Sequence, residues 1–572
     1  MKLSRRRKIY YILLFIFLAL LIVSYGNIAR GGAILWTGPN LFYVAIFVVA
    51  ASLFYVIASS QSDSLNWVEV FAVGAFCLSL FLVLWVGAGT LPNDPDSIIS
   101  MRSISFMLEN GFSTAQLTQP GFLIGATYSL PMQSLLGAVL ALVTKASFIT
   151  VAKYLPLIIM LILLMIYYAL VSTRYSKRAS LLSLAALASF PILVSFANVV
   201  NNLVLGSTFL FLTLLLISMR NSHNRTVLTA LAFVVICIFA LTHHLTFLIF
   251  LIVLGVLIFK DALVRTRGDY YLRVKRINVM FLVALLLVMF TYYVFAGIGP
   301  LKSIIKAFTR QALEVAPVTS VAQWAPAIAI QRAGYILFVA FLIYLSLFAA
   351  RCDLKRFLSH YANFLVLGGA LFLFSIGGAF IGVPYNWERT SIYGWALVIP
   401  ATFAILLETK SLKRKTLFAI SAIVVATFIF CNVFAIPSNW LDHTGSNEYT
   451  GSSYKDMTKM QEFDSVVWYV KYRAINSGVV GDEIARRLFL SNSSNFTGSF
   501  MDISRYNGTQ NGSSIIVRNE DFYQTIQTFY PALGAQGGSR TTTDRDQWTD
   551  IVNSNRLYRV YDNAEVRIMY TP

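Results

Sequence analysis

Apolar runs of about 17–25 residues recur along most of this chain, and nothing else in the sequence limits its fold so strongly. Coiled as a helix, a run of that length reaches across the roughly 30 Å hydrocarbon core of a bilayer. The first run, 9–25, follows Arg5, Arg6, Arg7 and Lys8. No small-residue cleavage site closes it and another apolar run follows at once, so it reads as an uncleaved anchor with the N-terminus inside. Further runs lie near 40–59, 68–89, 153–173, 179–198, 203–219, 227–242, 245–259, 277–298, 333–350, 361–381, 391–407 and 416–436. The expectation is a polytopic α-helical membrane protein with about thirteen transmembrane helices.

Charge agrees with this reading. Only 12% of the 572 residues are charged and 57% are hydrophobic, whereas soluble domains carry about 25% charged residues. That composition excludes a soluble enzyme, a disordered chain and a nucleic-acid-binding module. The net charge of +19 would suit a nucleic-acid partner if it were gathered in one groove, but it is not. From Trp440 onward 13 basic residues face 15 acidic ones, and before it 32 basic residues face 11 acidic ones. The basic residues punctuate the apolar runs, at 174–178, 220–225, 260–276, 351–356 and 408–415. Alternating spans put all five loops in the cytoplasm, which is the positive-inside pattern. If 131–149 crossed the membrane, the 174–178 loop would face outward, so that stretch is expected to be a re-entrant or interfacial helix on the outer side. Cys77, Cys237, Cys352 and Cys431 all lie in or beside apolar runs, and suggest neither a disulfide framework nor a cysteine metal site.

The division that follows is a multi-span domain over 1–435, with an outer loop near 90–130, and a polar tail over 436–572. An odd number of spans places the tail outside the cell membrane. Within it, 455–475 has the spacing of an amphipathic helix through Met460, Phe463, Val467 and Val470. Residues 479–482 read as a short strand and turn, and 556–570 as a hairpin about Asp562 and Asn563. A small extracytoplasmic α/β domain is expected. The tail also carries four N-x-Ser/Thr sequons, at Asn492, Asn495, Asn507 and Asn511, which are candidate glycosylation sites if exposed on the outer side. A fifth, Asn224, falls on a loop expected in the cytoplasm.

Candidate chemistry gathers at the outer membrane edge. The loop after the 68–89 run reads GTLPNDPDSIISMRSISFMLENGF. Asp94 and Asp96 open it, and 97–109 has helical spacing through Ile98, Met101, Ile104 and Leu108. Asp96 falls at or near the N-cap of that helix. It serves either as a capping group or as a general base. The pair could also hold Mg²⁺ or Mn²⁺ if Glu109 or Glu314 converged on it. Thr242, His243 and His244 sit at the outer end of another span, where an ionisable pair is costly unless solvated or functional. Arg389 opens the 391–407 span, and its planar guanidinium suits bidentate contact with a phosphate. Arg102, Lys302, Arg310 and Arg332 are weaker candidates for the same role. The connector 299–332, with Gln311, Glu314, Gln323 and Trp324, is long enough to act as a lid.

The segment Asp96-x5-Arg102, set in NDPDS…R…LENGF, resembles the first outer loop of oligosaccharyltransferase catalytic subunits. The stretch 131–175, the outer Tyr385-Asn386-Trp387-Glu388-Arg389, and the tail pattern WYV…VVGD with LYRVYDNAEVRIMY also look like GT-C glycosyltransferases, the tail like that of archaeal and bacterial members. The resemblance spans most of the chain through short motifs. It implies a GT-C-like fold and a polyprenyl-phosphate sugar donor at the lipid bilayer. It also implies displacement at the anomeric carbon with inversion, Asp96 or Asp94 as base, and Arg389, His243, His244 or Arg102 holding the donor phosphate. Both metal-dependent and metal-independent members exist. Two spans precede the aspartate loop where oligosaccharyltransferases have one, and the WWDYG motif that reads an acceptor sequon is absent from the tail. The resemblance therefore implies transfer of a single sugar to a glycan, lipid or protein acceptor, in an archaeal cell-surface setting. The alternative class is a transporter or lipid-linked-sugar flippase, which should show inverted repeats and broken spans. No fixed repeat and no Walker A or dinucleotide glycine pattern is present.

Overall fold

The computed structural model describes residues 39–59, 67–85, 90–92, 95–111, 132–197, 202–219, 225–263, 326–380, 387–408 and 415–435. In the tail it describes 457–459, 479–481, 500–502, 514–518, 558–562 and 566–570, and elsewhere a few isolated positions. Most of the 9–25 and 277–298 runs and the four tail sequons lie outside the described residues.

The apolar runs become helices because a helix satisfies its own backbone hydrogen bonds, which lipid cannot do. Among the described residues, ten of the runs form continuous helices. They are α1 (Pro39–Ser59), α2 (Trp67–Trp85), α5 (Phe148–Ser172), α8 (Asn202–Met219), α9 (Arg225–Ala240), α10 (His244–Leu263), α11 (Pro326–Cys352), α12 (Ala362–Phe380), α13 (Trp387–Glu408) and α14 (Lys415–Ala435). Among the described residues four helices are long and apolar enough to cross a membrane: Phe148–Ser172, Asn202–Met219, Ile330–Cys352 and Ser391–Glu408. The protein is a multi-pass helical membrane protein.

The run 179–198 departs from expectation. It is two helices, α6 (Lys177–Ala188) and α7 (Pro191–Phe196), not one. Pro191 has no N–H to donate and disfavours helical backbone at the residue before it. The Ser189 and Phe190 amides instead close tight turns onto Ala186 and Leu187 at 3.3 and 3.2 Å. The connector before α11 also ends earlier than expected, since that helix begins at Pro326.

The chain divides into two compact units. The first comprises 1–86, 125–133 and 156–438. In it α13 is packed by α12, α6 and α11, while α14 lies against α11 and α1. The α12–α13 seam is close because both sides are glycine. A Cβ added to Gly368 would lie 2.5 Å from a Val398 methyl and 2.9 Å from the Gly394 carbonyl oxygen. Trp395 anchors the centre, with ring contacts to Phe372 (4.9 Å), Tyr335 (5.0 Å), Phe428 (5.5 Å) and Phe338 (5.8 Å). Tyr167 of α5 is fully buried and its hydroxyl donates to the Ala396 carbonyl at 2.9 Å. At the other end of α13, Glu408 accepts from the Ser176 amide (2.9 Å) and lies 3.0 Å from His360 Nε2. With Arg356 Nη2 3.9 Å away, that carboxylate, itself at the start of the 408–415 basic stretch, meets groups from the 174–178 and 351–356 stretches.

The second unit comprises 87–124, 134–155 and 439–572. It holds β1 (Thr90–Pro92), α3 (Pro95–Asn110), most of α4 (Met132–Thr144) and the tail strands. At about 1.5 Å per residue, the 13 residues of α4 extend roughly 20 Å, too short to cross a bilayer. β1 pairs antiparallel with β2 (Met457–Lys459), Thr90 opposite Lys459. That strand replaces the start of the helix expected over 455–475, because its backbone is taken up by pairing with the outer loop. The remaining strands are β3 (Val479–Gly481), β4 (Phe500–Asp502), β5 (Ser514–Arg518), β6 (Tyr558–Asp562) and β7 (Val566–Tyr570). They form one mixed sheet in the order β4-β3-β5-β7-β6. β6 and β7 are the expected hairpin, with Asp562 opposite Arg567.

Candidate functional site

Asp96 is the second residue of α3, after Pro95. Proline suits the first helical position, where its missing N–H removes nothing from the helix ladder. Asp96 therefore lies inside the first turn, where exposed amides and the helix dipole favour a negative charge. Arg102 follows on the same helix. Of the positions expected to share a face, Met101 and Ile104 are buried, together with Ser100, Ser103, Phe106 and Met107. Ile104 meets α4 at Gly137, where an added Cβ would lie 2.5 Å from Ile104 Cδ1. Gly137 thus sets how closely α4 supports the helix that carries Asp96. Asp94 lies outside the described residues, as do Lys302, Arg310 and Glu314.

The first unit contains a polar network on the elements that carry the other candidates. His243 occupies the position before α10. Its carbonyl accepts the Phe247 amide at 3.1 Å, and its Nδ1 lies 3.2 Å from the Thr246 amide nitrogen. That is the geometry of a helix N-cap, with an imidazole in place of the usual hydroxyl or carboxylate. His243 Nδ1 is also 2.7 Å from Thr246 Oγ1, Thr246 Oγ1 is 3.0 Å from the Tyr393 hydroxyl, and that hydroxyl is 2.7 Å from Ser207 Oγ. Thr246 is fully buried, and Tyr393 and Ser207 nearly so. α8 approaches closely because residue 206 is glycine. A Cβ there would lie 2.9 Å from His243 Cβ and 3.2 Å from Thr246 Oγ1.

The network connects His243 to the Arg389 helix. Arg389 is the third residue of α13 and Tyr393 lies four residues further on, on the same helix face. The structure thus brings His243 onto the helix that carries Arg389, through partners that sequence reading missed. His244 is the first residue of α10. Arg332 is half-buried within α11, beside Gln331, whose Nε2 donates to the Tyr335 hydroxyl at 2.7 Å. Among the described residues no three His, Cys, Asp or Glu side chains converge as a metal site. His360, which carried no functional signal in the sequence, is the partner of Glu408.

No family model matches the chain, and no curated protein matches it. Solved structures do. ArnT from Cupriavidus metallidurans bound to undecaprenyl phosphate is similar at 11% identity and a TM-score of 0.48, over 87% of this chain and 97% of that one. The oligosaccharyltransferase of Archaeoglobus fulgidus in its apo form is similar at 13% identity and a TM-score of 0.44, over 84% of this chain and 70% of that one. Oligosaccharyltransferase AglB from the same organism, in complex with an inhibitory peptide and a dolichol-phosphate, is similar at 11% identity and a TM-score of 0.44, over 83% and 69%.

Proposed function

We propose that this protein transfers a sugar from a polyprenyl-phosphate-linked donor to a glycan, lipid or protein acceptor at the outer face of the cell membrane. The N-terminus is then cytoplasmic, the 436–572 tail extracytoplasmic, and the four tail sequons accessible to glycan addition. The observation that carries the reading is Asp96 in the first turn of the helix Pro95–Asn110, in the NDPDS…R…LENGF setting, on the stretch that follows the apolar helix Trp67–Trp85. A carboxylate there can take the proton from an acceptor hydroxyl as its oxygen attacks the anomeric carbon. The bond from that carbon to the phosphate oxygen breaks, the configuration inverts, and polyprenyl phosphate leaves with the electron pair. Arg389, His243, His244 and Arg102 are the groups we assign to the leaving phosphate, whose charge must be met as it forms.

One observation favours a second reading. The broken α6–α7 helix is the kind of discontinuous span that transporters use. A single experiment separates the two. Purified protein in lipid vesicles is given radiolabelled polyprenyl-phosphate sugars and a crude membrane acceptor extract, with wild type beside Asp96→Asn. Loss of a general base lowers transfer by about 100-fold or more. Undiminished transfer by Asp96→Asn would move the role of base to Asp94. Label that crosses the bilayer while staying on its lipid would make the protein a flippase.

A further inference from the structure

We infer that α4 is seated in the lipid leaflet that α5 enters first, and that through Gly137 this seat supports the Asp96 helix. Burial along α4 runs opposite to that of a helix in water. Its inward residues are polar or small: Ser134, Gly137, Ala138 and Ala141 are buried. Its outward residues are large and apolar: Val139, Leu142 and Val143 are 46%, 66% and 75% exposed. Three and four residues apart, they share one face. Helices in lipid are sorted in this way, with small residues at the helix contacts and nothing to draw large apolar ones inward.

The corner after α4 fixes where that face lies. α4 ends at Lys145, whose φ of 55° is the left-handed turn that closes a helix. Ser147 opens α5, its Oγ accepting the Thr150 amide at 3.1 Å and its carbonyl the Val151 amide at 3.0 Å. Gly137 and Leu155 each lie eight residues from this corner, about 12 Å along a helix. Yet a Cβ on Gly137 would be 3.7 Å from Leu155 Cδ2. Arms of that length that still meet at their far ends lie side by side. α4 therefore folds back along the first turns of a helix long and apolar enough to cross the membrane. Tyr154 on those turns is exposed as well, and Ile158, Ile162 and Met165 continue the outward row along α5. Thr144, Lys145, Ser147 and Thr150 gather the polar groups of this hairpin at its corner, and all four are exposed, as suits a headgroup boundary. The other side of Gly137 meets Ile104 of α3, so α3 rests on the inward side of a helix whose outward side is in lipid. The consequence for sugar transfer rests on the proposed function; the lipid seat does not.

The test uses the full chain in vesicles of phosphatidylcholine and phosphatidylglycerol. Cys237→Ser and Cys352→Ser remove the two cysteines that are not buried. A nitroxide is placed in turn at Val139→Cys, Val143→Cys, Lys145→Cys and Ile162→Cys. Its collisions with oxygen, which concentrates in lipid, are compared with those of a water-soluble nickel chelate. The Val139 and Val143 labels are expected to favour oxygen, as the Ile162 label does, and the Lys145 label to favour nickel. Labels at Val139 and Val143 that favour nickel would overturn the seat. Spin–spin broadening there would overturn it too, giving the face to a second copy of the chain. A label at Leu108→Cys reads the support of α3. Val143→Asp is expected to shift that label toward nickel, while Val143→Leu leaves it at the wild-type value. An unmoved Leu108 label in Val143→Asp would overturn the link to α3. Val143→Asp is further expected to lower sugar transfer about tenfold, and Val143→Leu to leave it unchanged. A shifted Leu108 label with undiminished transfer would overturn the consequence for Asp96. A wild type that transfers no sugar would overturn the proposed function, and the spectra would still decide the seat.

Discussion

Helices α11 and α13 are both membrane-length, yet they live in different surroundings. In the Ser391–Glu408 part of α13, 89% of residues are buried; in the corresponding part of α11 only 28% are. The more buried helix is the less apolar one. α11 turns Ile336, Ile343 and Leu347 outward, where lipid is the expected neighbour. α13 turns Tyr393 and Trp395 inward, where each meets a side chain of another helix, and it buries Thr402, whose hydroxyl donates to the Val398 carbonyl of the same helix. Lipid tails are as apolar as leucine, so nothing drives an apolar side chain off the lipid-facing surface. Polar side chains and tight backbone approaches are what need a protein interior. In such a chain, a fall in hydrophobicity within a membrane-length run marks the helix at the centre.

That contrast can be broken or sharpened by substitution. Trp395→Ala should be the most damaging, because it empties the centre of an aromatic cluster; a loss of about 3–5 kcal/mol is expected, read as reduced thermal stability in detergent. Gly368→Ala comes next at about 1–3 kcal/mol by the same measurement, since a new methyl meets Val398 and the Gly394 backbone. Tyr167→Phe removes one buried hydrogen bond to the Ala396 carbonyl and should cost about 1 kcal/mol. Leu347→Ala on the outward face of α11 should change stability by no more than about 0.5 kcal/mol. If Leu347→Ala proved as harmful as Gly368→Ala, the outward face of α11 would be a protein interface rather than a lipid one.

The membrane helices were legible because length and apolarity are local properties, and α3 because Met101, Ile104 and their neighbours repeat at helical spacing. Pro191 stood in plain view inside the 179–198 run, but hydrophobicity alone reads through a proline. The network around Tyr393 was not legible, since Ser207 and Thr246 lie 186 and 147 residues away in sequence. Nothing local to a tyrosine in an apolar run says which hydroxyl it will meet. The β1–β2 pairing was hidden for a similar reason. Three residues are too few to show strand alternation, and Met457–Lys459 fits a helical pattern equally well when its partner is unknown.

That pairing has a consequence for how the protein is made. Thr90 and Lys459 are partners from opposite ends of the chain. At about 5–20 residues per second, the ribosome reaches the second strand roughly 20–70 s after the first. Until then the segment leading into the Asp96 helix has no strand to pair with. The tail is in this sense the last part of the aspartate loop to be synthesised, and a nascent chain cut short before it would carry the loop without its partner strand.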